Sequence, residues 1–256
     1  MTTEYDPAKL AALAAEVAHE VGSEVGRRRE AGFSWTTKST STDVVTEIDT
    51  WAENAVVEMI EAQRPDDGFL GEEGVDRAGS TGVTWVIDPV DGTTNLLYGL
   101  AGFSVSIGVE INGDPVAGAV FDPIRDELFV ASIGNGATRN GEAIVPTTLD
   151  DLPSALVATG FSYSPDDRLE QARALSTVLP RVRDIRRNGG AALDFCAVAC
   201  GRVDAYFERG IKPWDGAAGR VIAAEAGAVV EMDHMTMVAT PGIADALRSL
   251  LVEAGA

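Results

Sequence analysis

The chain has 256 residues, and its 40 acidic side chains against 20 basic ones leave a formal charge of −20. So acidic a surface repels phosphate backbones and anionic lipid, which argues against a direct nucleic-acid partner and against a membrane partner; an anionic substrate needs a local reversal of the field, of the kind bound cations supply. Cys196 and Cys200, four apart in an apolar segment, offer neither a disulfide framework nor a CxxC zinc site and read as small buried hydrophobes.

MTTEYDPAKL lacks the basic start and apolar core of a signal peptide, and no apolar run is long enough to span a bilayer, so a cytoplasmic protein is expected. Residues 7–31 read as a helix. Asp6 caps it, Pro7 takes its first turn, and Leu10, Leu13, Val17, Val21 and Val25 recur at three- and four-residue steps before Gly32 ends it. The threonine- and serine-rich stretch 33–45 reads as a loop or short hairpin. A second helix starts near Thr46, where Thr46 and Asp49 form a variant capping box, with Trp51, Val56, Met59 and Ile60 facing inward.

From 68 the period changes. GFLGEE, TWVID, GFSVSIGVEI, PVAGAVFD and DELFVASIG read as strands of an antiparallel meander, with INGD as a hairpin turn. Beyond about 150, strands and helices alternate: the strands ALVATGFSY, RVRDIRR, VDAYFE and AVVEM are separated by helices over RLEQARALSTVLP, GAALDFCAVAC and WDGAAGRVIAAEAG. A last helix is capped by Thr240, with Pro241 at its first position. An α+β part over 1–150 and a layered α/β part over 151–256, packed as one body, are therefore expected.

The chemistry is read first by exclusion. The two histidines, His19 in the first helix and His234 in a polar turn, neighbour no nucleophile, and no GxSxG, GxxxxGK[ST], HExxH or GxGxxG pattern occurs. Acid–base work falls to carboxylates, hydroxyls or metal-activated water. WVIDPVDGTTN (85–95) closes an apolar strand with Asp88. Pro89, which cannot donate to a ladder, should stop the pairing there. Asp91 follows three positions on, and Gly92-Thr93-Thr94 can open a short helix.

Two carboxylates at a strand end repel one another unless a divalent cation neutralises both, and an all-oxygen donor set suits a hard ion such as Mg²⁺. Amides at a helix start, approached closely beside Gly92, suit a phosphate. On its own DxxDG reads more readily as a turn, and Asp43, Asp49 and Asp215 taken singly read more readily as helix caps. Together with Glu72 and Glu73 after GFLG, these acidic clusters at element ends are what a multi-metal carboxylate site requires.

These stretches resemble the inositol monophosphatase family of magnesium-dependent, lithium-sensitive sugar phosphatases. The matching segments are GEE (71–73), WVIDPVDGTTN (85–95), KPWDGAAG (212–219) running into EAG (225–227), and TDVVTEID (42–49) with Lys38 ahead of it, in order along nearly the whole chain. The resemblance implies a layered αβαβα sandwich, a homodimer, and two or three Mg²⁺ ions per site. Glu72, Asp88 and the carbonyl of Val90 would bind the first ion; Asp88, Asp91 and Asp215 a second; Glu72 would share a third.

The resemblance also implies that Asp43 hydrogen-bonds the hydroxyl of Thr93, that Thr93 and Glu72 orient and activate the attacking water, and that amides of Gly92 and Thr93 hold the phosphate. Asp91, Ala191 and Glu208 would face the substrate hydroxyls, with Asp215 beside them. Glu73 is either a ligand or a supporting residue, Lys38 either pairs with the acidic cluster or is an ordinary surface lysine, and Arg186 and Arg187 match a basic position at the family's subunit contact or form a plain salt bridge. The implied reaction is hydrolysis of a small polyol phosphate, inositol 1-phosphate first. Fructose 1,6-bisphosphate, adenosine 3′,5′-bisphosphate and histidinol phosphate are the alternatives within the family, and a non-catalytic protein-binding regulator is the alternative from another class. Two departures stand out: EAGAVV replaces EAGG, and EMDHMTMVAT is shorter than usual between the last strands. Neither touches a candidate metal ligand.

Overall fold

The computed structural model describes residues 5–38, 40 and 43–256; Thr42 of the TDVVTEID stretch, with Ser39 and Ser41 ahead of it, lies outside the described residues. Helix α1 (Pro7–Ala31) starts where Asp6 accepts the Ala8 amide at 3.0 Å and buries the apolar stripe from Leu10 to Val25. Strands β1 (Trp35–Thr37) and β2 (Val44–Thr46) form an antiparallel hairpin. The capping box of Thr46 and Asp49 then opens α2 (Glu47–Glu61), which buries Val56 and Ile60. Trp51 of α2 is half-buried beneath the Arg28 guanidinium, 3.9 Å from its ring centre.

Strand β3 (Gly68–Gly71), β4 (Asp76–Arg77), β5 (Val83–Asp91), the short helix α3 (Thr93–Leu97), β6 (Ser104–Ile111), β7 (Asp114–Asp122), β8 (Glu127–Ser132), β9 (Ala137–Arg139) and β10 (Glu142–Ala143) follow. They make an eight-stranded sheet in the order β10-β9-β8-β7-β6-β5-β3-β4, antiparallel except for the parallel pair β3–β5. The β6–β7 turn has positive φ at Asn112 (53°) and Gly113 (88°), the backbone that twisted two-residue hairpins favour.

Strand β11 (Leu156–Thr159), α4 (Pro165–Val178), β12 (Asp184–Arg186), α5 (Ala191–Ala199), β13 (Ala205–Arg209), α6 (Pro213–Ala226), β14 (Val229–Met232), β15 (Met235–Ala239) and α7 (Ala244–Ala254) complete the chain. Their sheet runs β12-β11-β13-β15-β14, with β11 parallel to both neighbours. One sequence expectation fails here. Thr240 caps no α-helix: Pro241–Ile243 form a 3-10 turn, α7 begins at Ala244, and the Thr240 hydroxyl donates to the Thr147 carbonyl. The preceding MTMVA, whose alternation marks a half-buried strand, inserts as β15 between β13 and β14.

Three apolar cores define five layers. α1 and α2 cover one face of the large sheet through residues such as Val17, Ile60, Trp85 and Ile107. α5 and α6 fill the space between the sheets, where Phe195 and Ile222 meet Phe129 and Tyr206. α7 and the end of α4 cover the far face of the small sheet through Leu247 and Val178 against Phe207 and Met237. The fold is thus α+β, a layered αβαβα sandwich. The middle layer demands small residues. A Cβ at Gly108 of β6 would stand 2.5 Å from the Ala217 Cβ, and one at Gly118 of β7 would stand 2.7 Å from the Ala218 Cα. Among the described residues no helix is long and apolar enough to cross a membrane.

Asp67, between α2 and β3, ties the outer layer to the sheet. It is buried and accepts hydrogen bonds from Arg64 (Nη2, 3.0 Å, and Nε), Thr81 (Oγ1, 2.6 Å) and Trp85 (Nε1, 2.9 Å). Burial alone would raise its pKa, but these donors and the Arg64 charge hold it below the ordinary carboxylate value. A depressed folded-state pKa contributes stability that is full above the unfolded value of about 3.9 and is lost as pH falls through the folded value. Asp67→Asn should therefore destabilise the protein by about 2–3 kcal/mol at neutral pH, because Arg64 keeps its charge without its partner. Urea unfolding at about pH 7 and about pH 3 checks this, and the gap between variant and parent should narrow at the lower pH.

Candidate active site

Strand β5 pairs with β6 without interruption from Val83 opposite Ile111 to Asp88 opposite Ser106, and resumes at Asp91 opposite Ser104. Three steps along β5 match two along β6, so Pro89-Val90 form a bulge. This corrects the expectation that Pro89 ends the strand: a bulge is where a ladder dispenses with the missing N–H. The consequence is directional. Residues three apart on a regular strand point to opposite faces. The inserted residue returns Asp91 to the face of Asp88, just as their partners Ser104 and Ser106, two apart, share a face.

The elements that follow fix each carboxylate separately. Asp88 Oδ1 accepts the Val90 amide at 3.1 Å. Asp91 reaches across the middle layer and caps α5, its oxygens accepting the amides of Ala191 (3.1 Å) and Ala192 (2.7 Å) where the N-cap residue Gly190 has no side chain to offer. Asp215, in the first turn of α6, accepts the Lys212 amide at 2.6 Å. Glu208 on β13 is held by the Tyr206 hydroxyl at 2.7 Å. Glu72 lies just past the end of β3, its amide on the Ile87 carbonyl (3.2 Å) and its Oε1 2.9 Å from Lys38 Nζ, which also bonds Glu73.

Gly92 leads into α3 with φ 92°, and a Cβ there would stand 2.6 Å from the Gly102 carbonyl oxygen. The next residue brings a correction. The Thr93 hydroxyl lies 2.9 Å from Asp49 Oδ1 and 3.0 Å from the Val90 carbonyl, so Asp49, not Asp43, is its carboxylate partner. The capping box is the reason. The Thr46 amide (2.9 Å) and hydroxyl both bond Asp49 Oδ2, which turns Oδ1 towards Thr93. Asp43 precedes β2, outside that helix start, and lines the cleft instead.

A cleft of about 760 Å³ opens between these elements: Asp43 and Glu72 line it on one side, Asp88, Val90, Asp91, Gly92 and Thr93 in the middle, and Ala191, Glu208 and Asp215 from the second half, whereas Asp49, Glu73 and Arg186 do not. Its electrostatics are those of crowded like charges. Burial, then the charges of Glu72, Asp91 and Asp215, push the Asp88 carboxyl well above its ordinary value. Burial and Asp215 do the same to Asp91 against the opposing α5 amides. Asp215 is raised to about 7, mainly by burial. Burial alone would lower Lys38, but Glu72 and Glu73 hold its ammonium well above the usual lysine value.

Among the described residues no three of these carboxyl groups surround one point in this arrangement. Glu72 is turned to Lys38, Asp91 to the α5 amides and Asp215 to the Lys212 amide. The donor set itself is oxygen-only, anionic and short of counter-charge, which fits hard divalent cations.

The model of the Inositol monophosphatase family matches residues 6–246. The chain belongs to this family. It is similar to the inositol-1-monophosphatase SuhB of Mycobacterium tuberculosis, 43% identical over 273 residues that cover 96% of this chain and 94% of that protein. It is also similar to the Nus factor SuhB of Xylella fastidiosa, 45% identical over 189 residues covering 73% and 68%. In three dimensions it matches the crystal structure of the extragenic suppressor protein suhB from Bartonella henselae with a TM-score of 0.90, at 31% identity and 95% and 98% coverage.

The alignment with the mycobacterial family member has more positions than this chain has residues, so gaps fall on this side. The two-residue turn Asp233-His234 between β14 and β15 lies where the sequence appeared shortened. That turn brings His234, set aside from sequence, to the rim of the cleft, and Tyr163, Arg187, Asp194 and Lys212 join it there. Asp194, buried on α5, accepts Asn188 Nδ2 at 2.6 Å and is raised to about 7 chiefly by burial. No local pattern announces His234, Tyr163 or Asp194, whereas Lys212 opens the KPWDGAAG stretch and Arg187 was read as a basic position beside Arg186. Arg186 makes an ion pair with Asp184 at 2.6 Å within the chain, in keeping with the plain salt-bridge reading.

Gly92→Ala combines a left-handed backbone with a backbone overlap. It should destabilise the protein by about 1–3 kcal/mol, a fall in Tm of about 2–4 °C for each kcal/mol, read by thermal unfolding monitored by circular dichroism.

Proposed function

We propose that this chain is a Mg²⁺-dependent phosphomonoesterase that hydrolyses a small polyol phosphate, with inositol 1-phosphate the first candidate. The reading is carried by one observation: Glu72, Asp88, Asp91 and Asp215, from three separate segments, line a single cleft beside Gly92 and Thr93, and burial among like charges raises Asp88, Asp91 and Asp215. Glu72, Asp88 and the Val90 carbonyl would hold one ion, and Asp88, Asp91 and Asp215 a second. When bound, such ions supply positive charge to the phosphoryl and leaving oxygens and polarise water.

The chain's own groups do the rest. The Thr93 hydroxyl has one proton and two acceptors for it, Asp49 Oδ1 at 2.9 Å and the Val90 carbonyl at 3.0 Å. Its oxygen lone pairs are then free to accept a hydrogen bond from a water in the cleft, which orients that water for attack. The fixed distance from Asp49 makes Thr93 a rigid acceptor rather than a rotating hydroxyl. Amides at Gly92 and Thr93 suit the phosphoryl oxygens. Glu208, fixed by Tyr206, together with Asp91 and Ala191, suits the hydroxyls of a polyol. Displacement by water in this geometry needs positioning and charge stabilisation and no covalent enzyme intermediate. A homodimer and a cytoplasmic location complete the proposal.

A second reading has one observation behind it, the Nus factor name carried by a relative 45% identical to this chain: the chain would act as a protein-binding regulator without turnover. Retention of the whole candidate ligand set favours hydrolysis.

Inorganic phosphate release across a panel of phosphorylated polyols and nucleotides should show Mg²⁺-dependent turnover that EDTA abolishes, Mg²⁺ restores and lithium at millimolar order inhibits. No release on any substrate, with binding to a protein partner preserved in Asp88→Asn, would favour the regulator. Asp49→Asn should lower kcat by about 100-fold or more, the usual scale for a lost proton-handling group. Asp43→Asn should cost less than about tenfold, and steady-state kinetics on the two variants separates the two aspartates.

A further inference from the structure

Glu53 lies on α2 one turn beyond Asp49 and is buried, yet no step above uses it. Its carboxylate is divided between two main-chain amides of the β3–β4 turn: Oε2 accepts from Glu73 N at 2.8 Å and Oε1 from Val75 N at 3.0 Å. The same turn is closed by the Gly71 amide on the Val75 carbonyl at 2.7 Å. Gly71 admits the carboxylate, because a Cβ at that position would overlap Glu53 Oε2. The glycine of GEE is therefore explained by Glu53, and Glu72 is fixed on both sides, by its own amide on Ile87 and by the next amide on Glu53.

A buried carboxylate beside Glu72 and Glu73 adds negative charge to a corner that already has too much. Two charge-assisted hydrogen bonds offset that. A neutral isostere cannot replace them: glutamine presents one acceptor to one amide and turns its NH₂ donors towards the other N–H.

We propose that Glu53 is a positioning residue of the cation site, holding the Glu72–Val75 turn so that the Glu72 carboxylate is presented to the cleft beside Asp88. The inference rests on the reading of that cleft as a divalent-cation phosphatase site. Loss of Glu53 should weaken cation binding by about 10–100-fold, the range for residues that orient metal ligands.

The experiment titrates Mg²⁺ by calorimetry, and Mn²⁺ by electron paramagnetic resonance, into the full chain without substrate. The parent is compared with Glu53→Gln and with Glu58→Gln, the same charge change at an exposed position of the same helix, each below its measured Tm. Glu53→Gln should lose cation affinity by that factor and lose kcat with KM for the phosphate ester unchanged, while Glu58→Gln keeps parental values. A Glu53→Gln protein with a lower Tm but parental cation affinity and kcat would reduce Glu53 to a structural role and overturn the proposal. If Glu53→Gln does not fold, Gly71→Ala, whose Cβ would overlap the Glu53 carboxylate and the Val75 side chain of the same turn, should show the same loss; parental affinity there overturns it equally. A parent that binds no divalent cation and releases no phosphate overturns both this proposal and the phosphatase reading, whereas a cation-dependent parent with an indifferent Glu53→Gln overturns this proposal alone.

Discussion

Mutual repulsion among buried carboxylates is the constraint around which this structure is arranged. Asp88, Asp91 and Asp215 line one cleft and each is raised by burial first and then by neighbouring carboxylates: Asp88 by Glu72, Asp91 and Asp215, Asp91 by Asp215, and Asp215 by Glu72 and Glu208. The fold opposes this with backbone amides. Asp49 sits in the first turn of α2, Asp215 in the first turn of α6, and Asp91 caps α5 from another strand. Three helix N-termini thus lend partial positive charge to acidic groups at or beside the cleft. Each such interaction is worth roughly 0.3–1 kcal/mol, up to about 2 when partly buried, against a desolvation penalty of several kcal/mol per buried ion. Helix ends alone cannot balance the account, which is why the carboxyls remain raised and why cations are the natural completion of the site.

Lys38 shows the same imbalance from the other side. Its ammonium is drawn between Glu72 and Glu73 although burial disfavours its charge. Lys38 reaches Glu72 and Glu73 and leaves Asp88 and Asp91 with backbone amides as their hydrogen-bond partners. Charge neutralisation in this cleft is therefore uneven: Lys38 bonds Glu72 and Glu73, the Lys212 charge bears on Asp215, and among the described residues no side-chain cation pairs with Asp88 or Asp91.

How much of this was legible in the sequence depended on whether the signal was local. The capping box of Thr46 and Asp49, the Asp6-Pro7 helix start and the INGD turn were readable because each is decided within a few residues. Candidate ligands were readable because acidic residues at strand and helix ends are awkward without a partner. The bulge was not, since Pro89 signals a break in pairing and only the register of β6 shows that pairing resumes at Asp91. The resemblance implied Asp43 as the partner of Thr93, and the structure pairs Thr93 with Asp49 instead. The choice between them is made by the rotation of one carboxylate inside a capping box, which no linear pattern encodes. The bonds from Asp91 to Ala191 and Ala192 span a hundred residues of sequence and had no local trace at all.

The middle layer connects packing to chemistry. Helix α6 carries Asp215 at its start, and the position of that start is set by how closely the helix lies on the large sheet. Gly108 and Gly118 face Ala217 and Ala218 at distances that admit no further methyl group, so backbone meets backbone and the axis of α6 is brought close to β6 and β7. Of these, β6 is the strand whose register against β5, through Ser104 and Ser106, returns Asp91 to the face of Asp88. A larger residue at either glycine would move α6 away from the sheet, and because close-packed interiors shift as units rather than compress, Asp215 would move with it. The small residues of SIGVEI, VAGAVF and WDGAAG, which look in sequence like mere low-volume filler, set the separation between carboxylates contributed by the two halves of the chain.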